Sequence, residues 1–265
     1  MMKVSPLFLV QITDTHLLAS AEGTLLGLPT EPSLKAVIEK IQTLTPQPDR
    51  VLLTGDLSQD ETFASYQRLH KQITRLNLPT YWIPGNHDQL PFMEEALNLP
   101  PVYGDKSFQC KGWQFILLNS AVPGRVYGHL SRETLAWLEG ELTKAGNIPT
   151  LIALHHPPFA VDSHWLDKSR LQNPEALFQV LDRYPQVRLV LFGHIHQDFQ
   201  RDRAGVTYLA SPSSCIQFKP ESQTFSLDEA QPGFRLLWLY PDGSYESEVK
   251  RVAFSYSLDF AAQGY

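Results

Sequence analysis

The chain has 265 residues, 43% of them hydrophobic and 19% charged, which is the composition of a globular protein able to bury its own core without staples. Lys plus Arg number 22 against 28 Asp plus Glu, and the net charge of −6 argues against a nucleic-acid backbone binder. Cys110 and Cys215 have no metal-finger spacing and read as free thiols, no apolar run reaches membrane-spanning length, and the N-terminal stretch lacks a signal-peptide core, so a soluble cytoplasmic protein is expected.

In chain order, the first apolar run is LFLVQITD, a buried strand ending at Asp14-Thr15-His16. Leu34, Val37, Ile38 and Ile41 follow helical spacing, and RVLLTGD is a second strand ending at Gly55-Asp56. Phe63, Tyr66, Leu69, Ile73 and Leu76 mark another helix; TYWIPGNHD is a third strand, ending in Gly85-Asn86-His87-Asp88. Ser131 can cap a helix carrying Leu135, Leu138 and Leu142, before the strand TLIALHHPP with His155-His156. Asn173-Pro174 opens a helix with Leu177, Val180 and Leu181, and RLVLFGHIH ends in His194-Ile195-His196. The last quarter changes character: GVTYLAS, CIQF, FRLLWLY and SYESEVKRVAF read as strands of a second, more antiparallel sheet. The alternation of strands and helices indicates an α/β chain, read as one domain over 1–252 followed by a tail, 253–265, with no assignment.

All five strands thus end in metal-binding chemistry. Ligands of open α/β sheets gather outside the carboxyl ends of the strands, and polar clusters there are costly unless an ion satisfies them. In an extended segment residues two apart point the same way, so His194 and His196 are expected to converge on one point. The glycines before Asp56, Asn86 and His194 permit sharp turns or close backbone approach. The donors are oxygen and imidazole without thiolate, which favours Mn, Fe or Zn. Seven candidate ligands exceed one tetrahedral ion and suit two ions about 3.5–4 Å apart, bridged by a carboxylate.

The motifs D-x-H, G-D, G-N-H-D, H and G-H-x-H, in this order, resemble the calcineurin-like metallophosphoesterases, and the stretches TGDLSQD, SHWLDKSRLQN, FGHIHQD and PSSCIQFKP look like the bacterial class III 3′,5′-cyclic AMP phosphodiesterases. The resemblance runs to about Val252. It implies a four-layer α/β/β/α sandwich with two mixed β-sheets. One metal would be held by Asp14, His16, Asp56 and His196, the other by Asp56, Asn86, His155 and His194. His156 would be structural or outside the metal shell. His87 would be the catalytic residue facing the phosphate, and His16, Asp56, Asn86, His87 and His196 would contact substrate. The cofactor implied is a pair of divalent or mixed-valence ions (Fe, Mn or Zn).

The expected reaction is hydrolysis of 3′,5′-cyclic AMP to 5′-AMP by a metal-bound hydroxide, with His87 donating a hydrogen bond or proton. Asp88 would either orient that imidazole or start a helix. Trp165 is a candidate for stacking on adenine, against ordinary packing. His129, before a helix, lacks a ligand context and reads as structural, and His70, on a predicted helix, reads as a surface residue. Asn119 and His129 stand where relatives commonly carry carboxylates, which bears on fine substrate preference. The rival readings are a phosphodiesterase or phosphatase of the same fold acting on a 2′,3′-cyclic nucleotide or a glycerophosphodiester, and a non-catalytic scaffold. The partner is a small nucleotide, with neither nucleic acid nor membrane, and by analogy a homodimer.

Overall fold

The structure is a computed structural model in which residues 5–264 are described. Residues 1–4, on which the reading of the N-terminus partly rests, and Tyr265 lie outside them. Two six-stranded sheets form the centre. The strands are β1 (Leu7–Ile12), β2 (Arg50–Thr54), β3 (Thr80–Ile83), β4 (Val102–Tyr103), β5 (Ser107–Cys110), β6 (Trp113–Leu117), β7 (Thr150–Ala153), β8 (Val187–Phe192), β9 (Phe199–Arg203), β10 (Val206–Ala210), β11 (Gly233–Leu239) and β12 (Tyr245–Arg251). One sheet runs β12-β11-β1-β2-β3-β4 and the other β9-β10-β8-β7-β6-β5. In each, four neighbouring strands are parallel and the outer partners antiparallel, so both sheets are mixed.

Three apolar clusters give the four layers. Leu7, Leu9, Leu52, Ile83, Phe115, Leu151, Leu191 and Leu237 fill the space between the sheets. The outer face of the first sheet packs on α1 (Thr30–Gln42), α2 (Phe63–Ile73) and α3 (Leu90–Leu97) through Leu34, Tyr66, Leu69 and Met93. The outer face of the second packs on α4 (Arg132–Ala145) and α6 (Pro174–Leu181), with the short α5 (His164–Asp167) beside it, through Leu138, Leu142, Leu166 and Leu177. β1 and β7 are buried along their whole length, and β8 at every position but Arg188, because both faces of these strands are covered. Ser131 caps α4 by accepting from Thr134 N at 3.1 Å, and Thr62 caps α2 in the same way from Ser65 N.

Three expectations change. The late strands do not share one sheet: β10 extends the second sheet, joined by β9, β11 and β12 extend the first, and Gln217–Phe218 of CIQF pairs antiparallel with Leu227–Asp228 in a separate two-stranded sheet. The five motif-bearing strands are divided as well, β1 to β3 in one sheet and β7 and β8 in the other. Apolar pattern fixes that a strand is buried on two sides; it carries no information on which buried partner it takes. The helical pattern from Phe63 also tightens into a 3₁₀ turn over Thr74–Leu76. The tail beyond residue 252 has no helix or strand, yet Phe254, Tyr256 and Leu258 pack on the outer apolar cluster.

Candidate metal centre

The carboxyl ends of β1, β2 and β3 meet those of β7 and β8 where the two sheets lean together. Polar bonds cross the seam: Gln11 Nε2 donates to Phe192 O at 3.0 Å, and Ser214 N donates to Thr13 O at 3.1 Å. All seven candidate metal ligands read from the sequence lie here. Asp14, His16, Asp56, His155 and His196 are fully buried, His194 nearly so, and Asn86 partly so.

What aims these side chains is backbone conformation. Asp14, His16, Asp56, His194 and His196 all have positive φ, from 45 to 70°. Left-handed backbone is uncommon outside glycine and costs on the order of 1 kcal/mol or more per residue, so it persists where the surroundings enforce it. The extended-strand argument for His194 and His196 therefore fails: β8 ends at Phe192, and the two imidazoles are swung by left-handed turns onto different groups of donors. The ligand atoms of Asp14, His16 and His196 lie within 4.8 Å of one another, as do those of Asp14, Asp56 and His155, and those of His155, His156 and His194. Asp14 and His155 each belong to two groups, so the three clusters are contiguous. His156 is brought into reach of the third; its role in the sequence reading was peripheral, and Ser120 Oγ holds its Nδ1 at 2.8 Å.

The glycines allow this crowding. A Cβ on Gly55, which has φ +95°, would stand 2.4 Å from His155 Nδ1; one on Gly193 would stand 2.2 Å from Thr13 Oγ1.

Hydrogen bonds fix the imidazole tautomers. His155 Nδ1 faces Thr54 O at 2.8 Å and His196 Nδ1 faces Ile216 O at 2.8 Å. Carbonyls only accept, so both rings carry their proton on Nδ1 and present the Nε2 lone pair to the centre. His16 Nδ1 faces Gln59 Oε1 at 2.7 Å, which turns its Nε2 to within 3.2 Å of His196 Nε2. Two ring nitrogens whose protons are held on the far side meet lone pair to lone pair, an arrangement that a cation resolves. Asn86 Oδ1 and His194 Nδ1 are buried without a hydrogen-bond partner, and His155 Nε2 faces Asp56 Oδ2 at 3.2 Å, a donor set that fits a cation.

Charge tells the same story. Burial opposes a cation on His155, but Asp56 beside it, Oδ2 at 3.2 Å, outweighs burial and lifts the imidazole to about 9. Burial would raise Asp56, yet His155 and His87 hold it well below the usual carboxylate range. Burial, then the neighbouring His196, pushes His16 down to about 3; burial, then His156 and His155, holds His194 well below an ordinary imidazole. The site thus draws positive charge to its carboxylates while keeping His16 and His194 neutral, as metal ligands must be.

Asp88 does not start a helix. Its carboxylate accepts from Leu57 N, Ser58 N, Gly85 N and Tyr66 OH, and so staples the loop after β2 to the loop after β3. Residue 89, not Asp88, precedes α3. His129 is exposed, and His70 reaches Leu99 O at 3.0 Å, so both lie outside the centre.

Two clefts open beside the cluster, and Asn86, His87 and Val126 line both. One, of about 500 Å³, continues past Ser169 and His194 to Trp165, Lys168, Thr224 and Phe225. The other, of about 370 Å³, is bordered by Glu61, Asn119 and Arg125. Trp165 is half-buried and packs edge-on against Phe218 and Phe225, with ring centroids 4.9 and 5.1 Å away.

Sequence reasoning missed the supports. Gln59 and Ser169 lie inside stretches that carried the resemblance, so their polar type was a usable signal. The Thr54 and Ile216 carbonyls give no sequence signal at all.

A family profile described as calcineurin-like phosphoesterase matches residues 9–198. The chain is 52% identical over 254 residues to a 3′,5′-cyclic-nucleotide phosphodiesterase of Nostoc sp., covering 96% of each. It is 42% identical to the 3′,5′-cyclic adenosine monophosphate phosphodiesterase CpdA of Escherichia coli, over 97% of this chain and 94% of that protein. Among solved structures, a dimetal phosphatase from Danio rerio superposes with a TM-score of 0.65 at 14% identity, covering 94% of this chain and all of that one. Among the described residues, no helix is long and apolar enough to cross a membrane.

Proposed function

The chain belongs to the calcineurin-like phosphoesterase family, and from that premise we propose that it is a two-metal hydrolase converting 3′,5′-cyclic AMP to 5′-AMP. The observation that carries the reading is the buried group of carboxylates and inward-facing imidazole lone pairs at the seam, beside a cleft of nucleotide size. The near-full-length likeness to cyclic-nucleotide phosphodiesterases supports the substrate.

Asp14, His16, Asp56 and His196 would hold one ion, and Asp56, Asn86, His155 and His194 the other. Manganese, iron and zinc suit these donors. When bound, such ions neutralise a phosphodiester and make water acidic enough to attack it. The remaining work falls to the chain. His87 lines both clefts, and its backbone N–H donates to Asp56 Oδ1 at 2.8 Å, which ties the loop carrying its imidazole to the centre. There it would donate a hydrogen bond or proton to the phosphoryl or leaving 3′ oxygen. The nucleoside would enter the cleft walled by Trp165 and Phe225, because aromatic faces take bases and Lys168 adds positive charge there. Residues 1–252 would act as one domain, in the cytoplasm, as a homodimer.

The test is turnover by metal-analysed protein of 3′,5′-cyclic AMP, 2′,3′-cyclic AMP, an aryl phosphodiester and a monoester. Preference for 3′,5′-cyclic AMP is expected. Hydrolysis of the aryl diester with none of cyclic AMP would remove the substrate and leave the phosphoesterase.

A further inference from the structure

His194 differs from the other imidazoles. His155 and His196 keep their proton on Nδ1 and offer Nε2. In His194 it is Nδ1 that is buried without a partner, while Nε2 lies 2.8 Å from Ser169 Oγ. The hydroxyl of Ser169 has one proton, and it points along a 2.8 Å bond to Leu166 O. The carbonyl cannot donate, so at His194 the hydroxyl accepts. Nε2 then carries the ring proton and Nδ1 is left as a lone pair. The opposite tautomer would bury an Nδ1–H with nothing to receive it, at a cost of roughly 1–3 kcal/mol.

We propose that Ser169 is the positioning residue of the centre, selecting the Nε2–H tautomer of His194 and so turning its Nδ1 toward the second ion. The inference rests on the two-metal reading above. Ser169 is buried, lines the larger cleft together with Trp165, Lys168 and His194, and its main-chain N–H also bonds Leu166 O at 2.9 Å, so its side chain is held in place from its own loop. Three supports therefore approach the imidazoles from outside the cluster as backbone carbonyls or an amide, and one, for the ring with reversed polarity, as a hydroxyl.

Two measurements on metal-free protein test it. Long-range ¹H–¹⁵N correlation spectra of histidine are expected to show His194 protonated on Nε2 in the wild type and in Ser169→Thr, and to show a shift toward Nδ1–H or a mixture in Ser169→Ala. Calorimetric titration with Mn²⁺ is expected to show one of two sites weakened roughly 10–100-fold in Ser169→Ala, the other unchanged, and recovery in Ser169→Thr. A wild-type His194 protonated on Nδ1 would overturn the proposal, as would two unaltered Mn²⁺ affinities in the alanine variant. Wild type that binds no metal ion would overturn the two-metal reading instead, and the tautomer spectrum would still decide the role of Ser169.

Discussion

Gly85 and Asp56 are in contact so close that a Cβ on the glycine would stand 2.2 Å from Asp56 Oδ1 and 2.4 Å from Asp56 N. The loop after β3 thus lies directly on the carboxylate proposed to bridge the ions. Gly85→Ala must push Asp56 away from His155 or distort its own turn. A stability loss of roughly 1–3 kcal/mol is expected in urea unfolding, with reduced metal content. Full metal occupancy at wild-type stability would show that Asp56 need not stand where it does.

Removal of the ions should loosen the whole seam. Ions that bind only the folded chain stabilise it by mass action, so Mn²⁺ at about 100 times its dissociation constant adds about 2.7 kcal/mol. Chelated protein is expected to melt several degrees lower and to recover on Mn²⁺ addition, read by calorimetry. A melting temperature indifferent to chelator and metal contradicts a metal centre in the folded state.

His87→Ala is expected to leave the melting temperature and metal content intact while turnover falls by roughly 10²–10⁴. Turnover near wild type would exclude His87 as proton donor.

Trp165→Ala should raise KM for 3′,5′-cyclic AMP by roughly 5- to 150-fold, the worth of about 1–3 kcal/mol of stacking, and leave hydrolysis of a small aryl diester unchanged. Equal damage to both substrates would mean that the ring only supports the wall through Phe218 and Phe225.

Asp88→Asn tests the staple. The amide has one oxygen where the carboxylate serves three backbone N–H groups and Tyr66 OH, so about 1–3 kcal/mol of stability should be lost. Unchanged urea midpoints would show that the loops hold without it.

Lys106 gives a pH dependence far from the centre. Its ammonium donates to Trp82 O at 2.7 Å and lies over the Trp82 ring, and burial brings it from 10.5 down to about 7. Between those values the unfolded chain binds more protons, so this residue's penalty is full below about pH 7 and fades as pH rises toward its unfolded value. The stability of wild type minus that of Lys106→Met should therefore climb from about pH 7 to about pH 10. A flat difference would mean that the folded lysine titrates normally.

The residue types of the centre were legible in the sequence because metal ligation needs particular donors: Asp14, His16, Asp56, Asn86, His155, His194 and His196 each follow an apolar run, and strand ends in covered sheets gather at one edge. The layered α/β plan was legible for a similar reason, since a strand buried on both faces reads as an unbroken apolar stretch. Three things only the tertiary structure decided. Which sheet each strand joins depends on pairing among equally apolar edges, so the expectation of β10, β11 and β12 in one further sheet fails. The parting of His194 from His196 depends on left-handed backbone, which side-chain alternation cannot foretell. The nitrogen each imidazole offers depends on a carbonyl, an amide or a hydroxyl contributed by a distant part of the chain, Ile216 for His196 and Ser169 for His194, and backbone carbonyls leave no mark in the residue alphabet.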